Sequence, residues 1–116
     1  MKYMLLIYTD PLAFDPDKAE AVHGEYAAFT QSILTSGELV AGDALQGSDT
    51  ATTVRVRNGK ASSTDGPFAE TKEVLGGYYI VDVNDLDRAL ELAAQIPDAR
   101  TASIEVRPVL EMPDMP

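Results

Sequence analysis

The stretch YMLLIY, residues 3–8, decides the fold. It is apolar at Tyr3, Leu5 and Ile7 and again at Met4, Leu6 and Tyr8, so as a strand it has no polar side. Successive side chains of a strand point to opposite faces, and a run that is apolar on both suits a central strand covered on both sides. GGYYIVDV, residues 76–83, repeats the property, with Tyr78 and Ile80 on one face and Tyr79, Val81 and Val83 on the other. Large apolar patches on soluble monomers are rare. These strands therefore predict a covering layer on each side: helices on one, and on the other a second copy of the chain packed sheet against sheet.

Working outward, Asp15-Pro16 reads as a helix start, an N-cap followed by proline at the first helical position, with Asp17 in the first turn. Val22, Tyr26, Phe29 and Ile33 form one apolar stripe, and Gly37 is the expected residue just past the helix. Gly24 costs such a helix about 1 kcal/mol relative to alanine, which points to close packing there. ELVAGDALQGSD, residues 38–49, reads as a short extended piece with turns. TTVRVRNGKASS, residues 52–63, is a hairpin signal: Val54 and Val56 face one way, Arg55 and Arg57 the other, and Asn58-Gly59 suits a type I′ turn. NDLDRALELAAQIPDA, residues 84–99, predicts a helix capped by Asn84, with Asp87 near its N-terminus and Leu86, Leu90 and Ala93 buried beside Ala89 and Ile96; Pro97 ends it. TASIEVRPV, residues 101–109, is the last strand, with Ile104 and Val106 inward. The order β-α-β-β-α-β is ferredoxin-like, an antiparallel sheet with two helices on one face. Residues 1–110 form one domain in this reading, and 111–116 a tail.

The chain has 116 residues, 19 Asp and Glu against nine Lys and Arg, and a formal net charge of -10. Such a field repels phosphate backbones and anionic lipid, so neither nucleic acid nor membrane is an expected partner. The absence of cysteine excludes disulfides, thiolate nucleophiles and Cys-based metal sites. The apolar N-terminal run is too short for a signal sequence or a bilayer span, and a cytoplasmic protein is expected. No metal or cofactor motif is present.

Three groups of side chains could carry chemistry. His23 is the single histidine, the residue type suited to proton transfer near neutrality; the other reading is a helix-flank side chain held by a neighbouring group. Asp43, after Gly42, either orients His23 or acts as a base, or else is a turn residue bonding its own backbone. In TDGPFAETKE, residues 64–73, Asp65 can accept from the following amides, Gly66 permits positive φ, Pro67 stiffens the bend and Phe68 plugs it onto the body. Glu70, Lys72 and Glu73 then either project from a structural loop or form a ligand or partner rim.

The segments 1–8, 51–60, 64–83, 89–97 and 103–109, above all the Asp65-Gly66-Pro67-Phe68-Ala69-Glu70-Thr71-Lys72 run, resemble the YCII-related family in its DGPF-domain branch, over almost the whole chain. The resemblance implies a ferredoxin-like fold dimerised as an α+β barrel. It also implies an association with extracytoplasmic-function sigma factors, beside or fused to which some DGPF genes lie. A distant branch includes a dehydrochlorinase of a chlorinated hydroxyquinol with a proposed His–Asp pair. His23 matches that histidine. The carboxylate position is taken by Thr35 and Ser36, which leaves Asp43 or Asp65 to supply one in space.

The function expected is a homodimer binding a small polar or aromatic ligand, with elimination-type acid–base chemistry at His23, Asp43 and Asp65. The alternatives are a non-catalytic partner or sensor domain linked to transcription, and a structural dimer with no ligand site.

Overall fold

The computed structural model describes residues 1–113; the last three positions of the tail expected over 111–116 lie outside the described residues. Strand β1 (Lys2–Thr9) is followed by helix α1 (Ala19–Thr35) and strand β2 (Leu39–Ala44). A hairpin of β3 (Thr52–Arg57) and β4 (Lys60–Asp65) precedes β5 (Val74–Asp82), helix α2 (Leu86–Ala94) and β6 (Ile104–Pro108). One four-stranded sheet has the order β2-β5-β1-β6; β3 and β4 form a second sheet by themselves.

The expected ferredoxin-like β-α-β-β-α-β order and dimeric α+β barrel are corrected here. The strand order in sequence is β-α-β-β-β-β-α-β, and no sheet closes into a barrel, because β2 and β6 remain edges of the main sheet. Closure requires strands enough to bring the edges together, about eight for an interior filled by side chains, and the main sheet has four. The result is an α+β fold with a four-stranded sheet, a two-stranded sheet and two helices.

β1 lies between β5 and β6, antiparallel to both. Tyr3, Leu5 and Ile7 are buried with Tyr79, Val81 and Val83 of β5, Phe29 and Ile33 of α1, and Ala89, Leu92, Ala93 and Ile96 around α2. Both helices thus cover the same face. The opposite face carries Met4, Leu6, Tyr8, Tyr78 and Ile80, none of them part of that core. β2, read only as an extended piece, is the edge strand beside β5.

Some local signals act at or near their own positions, and others do not. Asp15 caps a 3-10 turn at Pro16–Lys18, accepting from the Asp17 amide at 3.0 Å, and the turn leads into α1. Gly37, at φ 80°, ends α1, with Glu38 N–H donating to Ile33 O and Gly37 N–H to Leu34 O, the Schellman pattern. Gly24 does not mark close packing: a Cβ there would meet nothing within 4 Å. α2 is capped by Asp85, not Asn84, through the Arg88 amide at 2.9 Å. Its buried side is Ala89, Leu92 and Ala93, whereas Leu86 and Leu90 are each 47% exposed.

A clamp joins α2 to the start of β2. Arg88 donates through Nε and Nη2 to both oxygens of Glu38, at 2.8 and 2.9 Å, and Ser36 donates to the same carboxylate. The Arg88 guanidinium first, and Ser36 second, lower the Glu38 pKa from 4.5 to about 2. A folded pKa below the unfolded one contributes stability above the unfolded value that is lost as pH falls through the folded value. Glu38→Gln is expected to cost about 1 kcal/mol near neutrality. The gap between parent and variant should close between pH 4.5 and about 2, read from urea midpoints across that window. A gap that persists unchanged to the acid end would remove the clamp as its source.

Candidate functional site

One end of the sheet is poor in side chains where α1 overhangs it. Gly42 of β2 and Gly76 and Gly77 of β5 sit there, and each allows a close approach: a Cβ on Gly77 would stand 2.9 Å from the Asp43 carbonyl oxygen, and one on Gly42 would stand 2.7 Å from the Tyr79 ring. The space so left is a cavity of about 380 Å³. Its apolar walls come from Ile7, Tyr26 and Tyr79, and His23 and Asp98 line it as well; Asp43 and Tyr78 also border it, from strands whose pairing turns their side chains to the other sheet face. A second hollow of about 680 Å³ shares Thr9, His23, Tyr26 and Asp98 and adds Asp10, Phe14 and Asp49. His23, Tyr26 and Asp98 therefore face both.

Asp98 reaches the site from the 3-10 turn Pro97–Arg100 after α2. Arg100 holds that turn against α1 through two hydrogen bonds to Glu25, at 2.6 and 3.0 Å, and the guanidinium lowers the Glu25 pKa. The Tyr26 hydroxyl donates to Asp98 Oδ2. Burial first, then the carboxylate, push the Tyr26 phenol well above its usual range, so it serves as a donor and not as a phenolate. On the sheet face turned away from the helices, the Tyr78 hydroxyl donates to Asp43 Oδ2 at 2.7 Å, which raises the Tyr78 pKa. The Tyr79 ring meets Phe29 edge-on, with centroids 5.3 Å apart, and its hydroxyl lies 2.6 Å from Thr30 Oγ1. Among the described residues His23 has no hydrogen-bond or ion-pair partner, no Lys or Arg lines either hollow, and no group of three or more His, Asp or Glu is placed to hold a metal.

His23 and Asp43 both border one cavity, but the Asp43 carboxylate lies with Tyr78 on the sheet face away from α1 and is engaged by Tyr78, not by the imidazole. Asp65 closes β4 and lines neither hollow. Its carboxylate bonds no amide of its own turn among the described residues; the Gly66 amide donates to Ala51 O at 2.7 Å, and Gly66 takes φ 100°. Phe68 does not plug the loop, being 79% exposed. Glu70, Lys72 and Glu73 stand away from the cavity walls, although Lys72 Nζ is 4.0 Å from Asp10, a wall of the larger hollow. Tyr26, Tyr78 and Asp98 are the cavity groups that sequence reasoning missed. Tyr26 was hidden in an apolar stripe, and Asp98 lies 72 positions from it, with only the Pro97-Asp98 turn as a local signal.

The family model for the YCII-related domain matches residues 1–113. An uncharacterized protein of Rhizobium meliloti (strain 1021) is 36% identical over 114 residues, spanning 94% of this chain and 92% of the relative. Among the described residues no helix is long and apolar enough to cross a membrane.

Proposed function

The chain belongs to the YCII-related domain family, and on that premise we propose that it is a homodimer that binds a small aromatic molecule with polar substituents in the cavity between α1 and the glycine-rich end of the sheet. The Asp65-Gly66-Pro67-Phe68 run supports a place in the DGPF branch. The observation that carries the binding reading is the meeting of His23 with Asp98 and Tyr26 at a space walled by Ile7, Tyr26 and Tyr79. A concave apolar site with a few converging polar groups is the usual form of a small-molecule pocket. A ring would lie against Tyr26 and Tyr79 over the bare glycines, and its hydroxyl or amino groups would meet the Asp98 carboxylate, since among the described residues no Lys or Arg lines the cavity.

A role for His23 as proton acceptor from such a ligand is supported by its place, with Asp98, in the lining of both hollows, where it has no partner among the described residues. Dimerisation is supported by the apolar second face of the sheet, which neither helix covers. The test is amide NMR of the full chain against a panel of hydroxy- and amino-substituted benzenes. Saturable shifts are expected at Gly42, Gly77, His23 and Asp98, and weaker binding by at least about tenfold in Asp98→Ala, the loss of one hydrogen-bonded polar anchor. Shifts that avoid those positions, or none that saturate, would overturn the reading.

A further inference from the structure

We propose that the two hollows are lobes of one site and that its ligand is an arylalkyl amine, with the aromatic ring in the smaller lobe and a short chain ending in an ammonium group in the larger. The inference deepens the binding reading above and rests on it. Thr9, His23, Tyr26 and Asp98 line both hollows, so the two spaces adjoin along a shared wall. The smaller, at about 380 Å³, lies near the low end of ligand pockets, which run from about 300 to 1,000 Å³. The larger adds about 680 Å³ beside it. A ring that fills the first lobe leaves the second to whatever the ring carries.

The lining of the larger lobe selects the end group. Its apolar surface comes from Phe14, Val22 and Val74, and its charge from Asp10, Asp49 and Asp98. Among the described residues no Lys or Arg lines it. Lys72 stands at the rim, with Nζ 4.0 Å from Asp10 and 78% of its side chain exposed. Asp10 is fixed by the Leu12 amide at 3.0 Å and Asp98 by the Tyr26 hydroxyl. Asp49 has no ion-pair partner among the described residues. A carboxylate or phosphate at the end of the chain would meet like charge on a partly apolar surface, where an unpaired charge is costly. An ammonium would meet opposite charge, together with Tyr26 and Phe14, aromatic rings of the kind that attract a cation lying over their faces. The net charge of -10 favours the approach of the same class of ligand.

The experiment titrates the full chain by amide NMR with four probes that share one ring: phenol, tyramine, tyrosol and hydroxyphenylacetate. The last three add a short chain ending in an ammonium, a hydroxyl and a carboxylate. Phenol should shift Gly42 and Gly77 of the smaller lobe, and tyramine should add Ser48, Asp49 and Thr101 of the larger. Tyramine should bind at least about tenfold more tightly than tyrosol, because hydrogen bonds to an ionised pair are roughly twice as strong as neutral ones, and hydroxyphenylacetate should bind more weakly than tyrosol. Asp10→Asn with Asp49→Asn should cancel the advantage of tyramine over tyrosol. Asparagine caps a turn as aspartate does, so the variant's circular dichroism should match the parent's. If none of the four probes shifts the cavity amides, the binding reading falls and the amine assignment with it. If they shift but tyramine is no tighter than tyrosol, leaves the larger lobe unmoved, or keeps its advantage in the double variant, the amine assignment alone is overturned.

Discussion

Leu92→Ala is expected to lower stability by about 2–5 kcal/mol, the range for truncating a fully enclosed leucine. Leu92 is 1% exposed and lies in the core with Leu5, Ile33 and Ile96. The transfer of its methyl groups and the cavity left behind both count against the variant, because the β1 backbone beneath α2 is held by ladders on both sides and cannot collapse into the gap. Leu90→Ala, two positions away on the same helix, should cost under about 1 kcal/mol, since that side chain is 47% exposed. Urea unfolding of both variants measures the contrast. Equal losses would mean that α2 buries a different side.

Gly42→Val should damage fold and site together. The first added carbon would sit 2.7 Å from Tyr79 Cδ1 and 3.1 Å from the Tyr78 carbonyl oxygen. The tyrosine ring cannot simply swing away, because Thr30 holds its hydroxyl and Phe29 meets its edge. Overpacking of this kind costs about 1–3 kcal/mol. The valine would also fill the cavity floor, so the NMR response of Tyr26, Tyr79 and Asp98 to substituted benzenes should disappear. Gly24→Ala is the control. It faces open space on α1, should gain up to about 1 kcal/mol, and should leave binding intact. A Gly42→Val protein that binds as the parent does would rule this cavity out as the ligand site.

Both variants turn on contacts that are hard to see in the linear chain. In α2, Leu86, Leu90 and Ala93 make as good a stripe as Ala89, Leu92 and Ala93, and period alone cannot choose between them. The choice follows from where β1 and β6 lie. Asp98 likewise becomes a site residue only because Arg100 ties its turn to Glu25 on α1, a contact between residues 75 positions apart. The DGPF segment drew attention through its residue types, but its side chains stand away from the cavity, and the bare glycines behind it carry more of the site than its charges do.

What the chain determines by itself is local. Asn58 at φ 52° and Gly59 at φ 76° make the hairpin turn because both positions require positive φ. Gly37 stops α1 for a similar backbone reason, and the alternation in β1 and β5 sets which side chains share a face. These depend on residues within a few positions of one another, and they are legible without a partner. Tertiary structure decided the rest: that β2 joins β5 at the sheet edge, that β3 and β4 stay outside that sheet, that Leu92 is buried in place of Leu90, and that Tyr26 meets Asp98. Each of these is settled by competition for burial and backbone pairing among segments distant in the chain, and residue order alone does not reveal which segment wins.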